Sequence, residues 1–372
     1  MITIFQRATE VHLTKDVAVV SDFLAKKNKD INILLTTIFF DNLKNKIAFF
    51  GLTNTKILTL PKVMIGQLSL SIFWYLLLNS KKHSLFVSYH VRYYTLFYGL
   101  IYKFCNPKGK IYIKADMGDL DVERVGPLGE GPLVRLNIFL IKCLIGKNFS
   151  LSYETHRGAK AADLYFKKFD LQLNIKVIPN GINQSNTNMI DISRKQNLGI
   201  CVGRLGAPEK NHEMLVKAIL RFYKNSDADW SFSFIGPFSD NFARLIKTSN
   251  DSIKGDNRIN LIGNLDNKDE LYSHFEKAKL LLVSSHREGY PLVYPEAAYH
   301  GCAIISTPVS SSHEFIVENG FGLVTQDHNE ISFCNSLLEF TGDPKIYKDV
   351  LEKIGPKRKN LLWPNILCNL DF

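Results

Sequence analysis

The feature that most constrains this chain is an alternation of strand-length and helix-length patterns, which runs to a turn near the middle and then starts again. Apolar runs typical of buried strands include Ile2 to Phe5, Lys46 to Phe50 and Lys110 to Lys114. Longer stretches typical of helices include Gly66 to Asn79, Arg92 to Phe104 and Leu133 to Ile145. This alternation predicts parallel sheets with helices on both faces. The turn sequence Pro179-Asn180-Gly181 separates the two series.

The length agrees with two domains, because 372 residues exceed what one hydrophobic core usually supports. We predict an α/β fold with two Rossmann-like doubly wound domains, an N-terminal domain over residues 1–181 and a C-terminal domain over residues 182–343. A basic, helical tail over residues 344–372 is expected to pack back on the N-terminal domain. No repeat of about 20 to 50 residues recurs, which excludes a solenoid.

Composition narrows the location more than the function. The net charge of +10 suits nucleic acid, anionic lipid and phosphorylated small molecules equally well. The six cysteines stand singly, as reduced thiols do, and the N-terminal sequence has no secretory pattern. The longest apolar run, Ile65 to Leu78, is shorter than the roughly 20 residues of a membrane-spanning helix. We therefore expect a cytoplasmic protein without a transmembrane helix.

The most informative stretch is Glu288 to Glu296, which follows a predicted buried strand and opens a predicted helix. The start of such a helix presents unpaired N–H groups at the carboxyl end of a strand, where anions and hydroxyl groups bind. Glu288 and Glu296 can each accept hydrogen bonds from sugar hydroxyls. Gly289 would let the backbone approach the ligand closely.

A capping box is the plainer interpretation of the same stretch. Ser285 and Glu288 have the S-x-x-E spacing in which each side chain bonds the other residue's backbone N–H. Pro291 argues against this alternative, because proline is favoured at the first helical position and would place the start of the helix later.

The spacing of Glu288 and Glu296, with seven residues between, resembles the EX7E signature of retaining glycosyltransferases of the GT-B fold, specifically glycosyltransferase family 4. The flanking residues Leu281 to Ser285 and Ile304 to Thr307 resemble the family as well. Upstream, Val202-Gly203-Arg204-Leu205 and Glu209-Lys210-Asn211 are similar to its VGRL…KN element. The resemblance covers roughly residues 175 to 330, and it implies two domains that face each other across a cleft.

In that family the arginine and lysine hold the donor diphosphate, and the resemblance gives these roles to Arg204 and Lys210. It also implies that Glu296 binds the ribose and that Glu288 and the amides after Gly289 bind the sugar. A lysine at a helix N-terminus opposes the macrodipole, which agrees with an anion beside Lys210. The expected donor-binding residues are Gly203, Arg204, Lys210, Gly263, Asn264, Leu265, Glu288, Gly289, Tyr290, Pro291, Leu292 and Glu296.

The first domain departs from the family. The glycine-rich loop expected after its first strand is replaced by Arg7 to His12, which has no glycine. Asp116 stands where many members place a histidine that faces the donor sugar. Its carboxylate either contacts the sugar or the acceptor hydroxyl, or acts as a helix cap or turn residue with Gly118. Lys114 is a possible ion-pair partner for it, and His90 and His12 are further candidates.

The resulting prediction is a glycosyltransferase of the hexosyltransferase type that uses a UDP- or GDP-sugar and retains the anomeric configuration. The expected catalytic residues are Glu288, Arg204, Lys210 and Asp116. The acceptor is a glycan or a lipid-linked oligosaccharide, in a bacterial surface polysaccharide pathway. No cofactor or metal is required, because two cations neutralise the leaving diphosphate.

Three other functions remain as alternatives. A nucleotide-sugar epimerase on the same fold would turn over the donor without an acceptor. A glycosidase ranks lower. Its two carboxylates flank one bond at about 5 to 9.5 Å, whereas eight residues along a helix would separate the backbones of Glu288 and Glu296 by about 12 Å. The third alternative is a non-catalytic membrane-surface binding module. It is suggested by two stretches that combine aromatic and basic residues, His90 to Tyr98 and Arg135 to Lys147. We interpret them as a groove for a lipid-linked acceptor at the inner leaflet, and we expect no nucleic-acid partner.

Overall fold

The computed structural model describes residues 1–6, 16–38, 52–128, 131–146, 148–183, 189–253, 258–265 and 267–368. It divides into two compact units. The first unit comprises Met1–Asn183 and Trp363–Phe372, and the second comprises Gln184–Leu362. The division falls after Asn183, close to the turn at which the sequence pattern restarts.

The first unit is built on a parallel sheet of seven described strands, in the order β3-β2-β1-β6-β7-β8-β9. The strands are β1 Ile2–Ile4, β2 Asn32–Thr36, β3 Thr55–Thr59, β6 Leu85–Tyr89, β7 Lys110–Lys114, β8 Phe149–Tyr153 and β9 Ile175–Val177. A small antiparallel ribbon, β4 Met64–Ile65 with β5 Leu68–Ser69, lies outside this sheet. The predicted strand at Lys46 to Phe50 lies outside the described residues.

Six helices described in the first unit connect these strands. They are α1 Asp16–Lys27, α2 Leu70–Asn79, α3 Tyr93–Cys105, α4 Asp119–Val125, α5 Leu133–Leu144 and α6 His156–Lys167. The helix predicted from Gly66 begins only at Leu70, because Gly66 has a φ of 59° in the ribbon turn and the Ser69 side chain caps α2 by accepting from the Ile72 N–H. The predictions for α3 and α5 agree with the structure to within a residue at each end.

The second unit contains a parallel sheet of six described strands, in the order β12-β11-β10-β13-β14-β15. The strands are β10 Gln196–Val202, β11 Ser231–Ile235, β12 Ile259–Gly263, β13 Ala278–Val283, β14 Ala303–Ser306 and β15 Gly322–Val324. The helices are α7 His212–Asn225, α8 Asp240–Asp251, α9 Lys268–Lys277, α10 Val293–Tyr299, α11 Glu330–Gly342 and α12 Pro344–Lys357. Both sheets reverse their strand order near the centre, as doubly wound folds do.

The C-terminal segment is shared between the two units. Helix α12 belongs to the second unit, where Lys357 Nζ donates to Asn319 Oδ1 at 2.9 Å. The last described helix, α13 Trp363–Leu367, belongs to the first unit, and its buried Trp363 and Leu367 pack with Val17, Val20 and Leu24 of α1. Only the end of the predicted tail therefore packs on the first unit. Within the described residues no helix is long and apolar enough to cross a membrane.

Candidate active site

The strand order of the second sheet reverses between β10 and β13, which are neighbours in space but not in sequence. In open parallel sheets, ligands bind at the carboxyl ends of the strands at such a point. Two hydrogen bonds join the loops that leave these strands. Ser284 Oγ donates to the Lys210 carbonyl at 2.8 Å, and the His286 N–H donates to the Glu209 carbonyl at 2.9 Å.

Lys210 and Glu288 meet where these two loops are joined. Lys210 ends the short 3₁₀ turn Pro208–Lys210, and Asn211 then takes a left-handed conformation with a φ of 51° before α7 begins. The Lys210 ammonium forms an ion pair with Glu288 Oε1, and the two side chains are 24% and 18% exposed. Ser285 Oγ donates to the same oxygen at 2.8 Å. The loops therefore bring together the cation and the carboxylate that the sequence motifs single out.

The capping-box interpretation of Ser285 and Glu288 does not hold in the structure. Helix α10 begins at Val293, well beyond Glu288, and its N-terminal flanking residue is Leu292. The Ser285 hydroxyl contacts the Glu288 carboxylate rather than a backbone N–H. Glu288 is thus oriented by the side chains of Lys210 and Ser285 and not by a helix cap.

Arg204 is placed differently from Lys210. It lies two residues after the end of β10, its side chain is 72% exposed, and its guanidinium pairs with Glu209 of the same loop. The Glu209 carbonyl is also the acceptor for His286, so this loop is tied to the one that carries Glu288. Arg204 therefore lies on the rim of the group, where its long side chain can be redirected.

Three glycines bring the loops after β10, β11 and β12 into close backbone contact. The Gly203 N–H donates to the Ile235 carbonyl at 3.0 Å, and the Gly236 N–H donates to the Gly263 carbonyl at 2.7 Å. A Cβ atom on Gly236 would lie 1.9 Å from the Gly203 carbonyl oxygen, and its φ is 136°. Only glycine fits there.

Glu296 has a partner that the sequence motifs did not indicate. Lys268 opens α9, just after the loop that carries Gly263, Asn264 and Leu265, and its ammonium lies 3.7 Å from Glu296 Oε1. Burial raises the pKa of Glu296, and Lys268 opposes that rise. The position of Lys268 after the loop is the only sequence signal for it, because the two residues are distant along the chain.

The residues between Glu288 and α10 form a compact link. Pro291 is buried, and its carbonyl accepts from the Tyr294 N–H at 3.1 Å. The Tyr290 ring meets Phe315 edge to face, with centroids 5.5 Å apart. Gly289 and Leu292 complete the link and are half-buried.

Asp116 lies in the first unit, after β7. It lines a cleft of about 330 Å³ together with His90 and Arg92. Helix α4 has Gly118 as its N-cap, so Asp116 is not the cap of that helix. Lys114, its possible partner, forms its ion pairs with other carboxylates.

Lys114 is instead fully buried in a separate ion cluster. Its ammonium lies 2.9 Å from Asp16 Oδ2 and 2.7 Å from Glu154 Oε1, and it donates to Asn180 Oδ1 at 3.1 Å. Burial raises the pKa of Glu154 to about 8, against the opposing effect of Lys114.

His90 shares the Asp116 cleft and has a left-handed backbone, with a φ of 62°. Burial lowers its pKa, and the nearby Asp116 carboxylate opposes that change. Asn137 Oδ1 and Tyr153 Oη belong to residues that line the same cleft, and neither atom has a hydrogen-bond partner within the described part of the chain. Buried polar atoms without a partner are uncommon in folded proteins. His12 lies outside the described residues.

Known proteins resemble this chain over part of its length in sequence and over nearly all of it in fold. Residues 184–358 match the family model described as Glycosyl transferases group 1. A Campylobacter jejuni alpha-1,4-N-acetyl-D-galactosaminyltransferase, whose name gives a PP-undecaprenol glycan as acceptor, is 28% identical over 53% of this chain and 53% of its own length. The capsular polysaccharide biosynthesis glycosyltransferase CapH of Staphylococcus aureus is 24% identical over 61% of this chain and 55% of its own.

Among solved structures, Anabaena HepE in complex with UDP has a TM-score of 0.68 at 13% identity, covering 99% of this chain and 96% of its own. This likeness shows the fold. The chain spans between 53% and 61% of the length of the curated relatives that it matches. The chain thus has the GT-B fold, and its residues 184–358 match the glycosyl transferases group 1 family.

Proposed function

We propose that this protein transfers a hexosyl group from a nucleotide diphosphate sugar to a glycan or lipid-linked oligosaccharide, with retention of configuration, in the synthesis of a bacterial surface polysaccharide. The family match of the second unit supports the transferase reaction. The named acceptor of the Campylobacter relative and the named pathway of CapH support the acceptor class. Among nucleotides, we propose UDP, because HepE binds it on the same fold.

The observation that carries the proposal is the ion pair of Lys210 and Glu288 at the switch point of the second sheet. The start of a helix attracts a diphosphate, and a cation beside it adds to that attraction. Lys210 directly precedes Asn211 and α7. Sugar hydroxyls need a hydrogen-bond acceptor, and the Glu288 carboxylate lies beside that cation. When the diphosphate takes Lys210, the Glu288 carboxylate becomes available to the sugar.

The other donor contacts follow from the same edge of the sheet. Glu296 would accept hydrogen bonds from the ribose hydroxyls, with Lys268 keeping its carboxylate ionised. Arg204 would turn from Glu209 to the diphosphate. Gly263, Asn264 and Leu265 lie where β12 ends and would contact the base. No metal is needed in this scheme, since Lys210 and Arg204 neutralise the leaving diphosphate as it departs.

The acceptor is assigned to the first unit. The cleft that carries Asp116 and His90 offers a carboxylate, an imidazole and the unpartnered Asn137 and Tyr153 atoms to a polar ligand. Asp116 is proposed to contact the acceptor hydroxyl. Peripheral binding at the inner membrane is proposed because a lipid-linked acceptor resides there.

Turnover assays with UDP- and GDP-sugars and a lipid-linked acceptor test the proposal. We expect Lys210→Ala to lower turnover roughly 100- to 1000-fold, as removal of a positioned charge does. Lys217→Ala, an exposed cation on α7, is the matched control and should leave turnover unchanged. EDTA should have no effect. Donor consumption without acceptor would instead identify an epimerase or hydrolase.

A further inference from the structure

Three helices of the first unit pack side by side, with α3 between α2 and α5. Phe73 of α2 stacks on Phe97 of α3, with centroids 6.4 Å apart. Lys103 of α3 donates to the carbonyls of Cys143 and Leu144 at the end of α5, at 3.1 and 3.0 Å. The three helices therefore form one layer, and their outward side chains form one surface.

That surface is apolar along all three helices. We call it the apolar face and define it by its large exposed side chains: Trp74, Leu77 and Leu78 of α2, Phe104 of α3, and Leu133, Leu136 and Phe139 of α5. Trp74, Phe104 and Phe139 are 59%, 83% and 60% exposed, and Leu78 is 76% exposed. Single exposed apolar residues are ordinary, but a group that spans three adjacent helices marks an interaction surface.

A helix of the second unit shows the ordinary pattern for comparison. The exposed positions of α7 include Glu213, Lys217, Arg221 and Lys224, and its apolar residues are buried. Helix α2 has no charged residue at all, and α3 and α5 have no acidic one. The apolar face is therefore a property of this layer and not of every helix in the chain.

The charges that the three helices and their flanking residues carry have one sign. No acidic residue occurs between Asp41 and Asp116, or between Glu130 and Glu154, and these stretches include all three helices. The exposed cations on or beside the helices include Lys62, Lys81, Lys82, Lys108, Arg135 and Lys142. An apolar surface flanked by cations matches the chemistry of an anionic lipid bilayer, in which acyl chains lie below phosphate groups.

We propose that the apolar face of α2, α3 and α5 docks on an anionic membrane surface, with Trp74 at the level of the headgroups and the rim cations on lipid phosphates. Tryptophan favours that interfacial position, and lysine side chains reach from an apolar surface to charged headgroups. A second copy of this chain is a poorer occupant, because a two-fold contact through this face would bring the two cationic rims together.

The apolar face also continues into the Asp116 cleft. Leu133 is exposed at the start of α5, as part of this face, and it lines the cleft that holds Asp116. A membrane-bound molecule could thus reach the cleft without leaving the lipid surface. The docking surface itself does not depend on the donor site, which lies in the second unit.

Vesicle co-sedimentation tests the proposal. The probes are vesicles of phosphatidylcholine alone and of phosphatidylcholine with phosphatidylglycerol. The wild type should bind the anionic vesicles and should release them as salt is raised. The double variant Trp74→Glu/Phe139→Glu should bind the anionic vesicles with an affinity about tenfold or more lower than that of the wild type. The double variant Lys81→Glu/Lys82→Glu should show a similar loss of affinity. Leu164→Glu is the matched control, since Leu164 is 55% exposed on α6 of the same unit.

Tryptophan emission gives a second readout that belongs to one residue. Trp230 and Trp363 are buried, so a blue shift on addition of anionic vesicles reports Trp74. UDP titration checks that each variant keeps a working donor site in the second unit, so loss of membrane docking is distinguished from loss of the proposed function. Circular dichroism spectra and unfolding midpoints equal to those of the wild type check that the first unit is folded. Vesicle binding by the double variant equal to that of the wild type would overturn the proposal. So would a wild type that ignores the vesicles and forms a dimer dispersed by Trp74→Glu.

Discussion

The Lys210 ammonium contacts Glu288 Oε1 across the two strands at which the order of the second sheet reverses. Each group compensates the charge of the other. We expect a donor diphosphate to compete with Glu288 for this cation. Binding of the donor would then exchange the Glu288 carboxylate for a phosphate at Lys210.

The exchange predicts opposite effects on binding and on turnover for Glu288→Gln. Removing the negative charge of Glu288 removes the anion that competes with the diphosphate for Lys210, so the affinity for UDP should stay equal or rise. Turnover should fall roughly 100-fold or more, because the sugar loses its charged acceptor. Calorimetry with UDP and a turnover assay separate the two effects. Parallel losses in both assays would contradict the exchange.

Lys268 sets the pH range in which Glu296 is ionised. Burial raises the pKa of Glu296 and Lys268 lowers it, so Lys268→Met should raise that pKa further. If ionised Glu296 binds the ribose, UDP affinity in the variant should begin to fall at a higher pH during acidification than in the wild type. UDP titrations across pH 5 to 8 measure this shift. Superimposable pH profiles would show that Lys268 does not act through Glu296.

Much of the second unit follows from its sequence, and the reason is local. The motifs around Arg204, Lys210 and Glu288 stand at strand ends, where short turns and nearby helix starts limit the backbone. Partners far apart in sequence were missed, as with Lys268 and Glu296. The need for glycine at position 236 was missed as well, because it comes from the Gly203 carbonyl of another loop.

The first unit was harder to predict. Lys114 is charged and lies in a strand, so its neighbour Asp116 was its expected partner, yet its side chain is buried against Asp16 and Glu154 from other elements. Strand β8, with the sequence FSLSY, was missed because its serines weaken the apolar pattern, although all five of its residues are buried. The exposure of the apolar residues on the outer face of α2 was not predicted, since a sequence pattern does not distinguish core from exposed surface.

The buried cation Lys114 is predicted to stabilise the first unit through its two carboxylates. Lys114→Met leaves Asp16 and Glu154 without their cation in a water-excluded site, which should lower the free energy of unfolding by about 3 to 5 kcal/mol. Lys160→Met, an exposed cation on α6, is the control and should change stability little. Urea-induced unfolding measures both variants. Equal unfolding midpoints for the two would contradict the assigned role.

His212 predicts a loss of stability in acid. Its Nδ1 accepts a hydrogen bond from the Gly206 N–H at 3.2 Å, and burial, with Lys210 adding to it, lowers its pKa to about 4. Because the folded pKa lies below the ordinary 6.5, this stability is present above pH 6.5 and is lost as the pH falls toward 4. The loss is on the order of 3 kcal/mol.

The variant His212→Asn tests this effect, because its amide oxygen can accept from Gly206 without titrating. Its free energy of unfolding should fall less between pH 7 and pH 4 than that of the wild type. His83 and His300 have pKa values lowered to about 4 and about 3, also chiefly by burial, so the variant should keep some acid sensitivity. An unchanged pH dependence would show that His212 does not contribute.

The most direct test of the central claim, that Lys210 holds a donor diphosphate at the switch point of the second sheet, is a calorimetric titration with UDP. Wild type and Lys217→Ala should bind UDP with the same affinity, and Lys210→Ala should bind it at least tenfold more weakly, as expected for loss of a charged hydrogen bond. Equal affinity in Lys210→Ala and wild type would contradict the account.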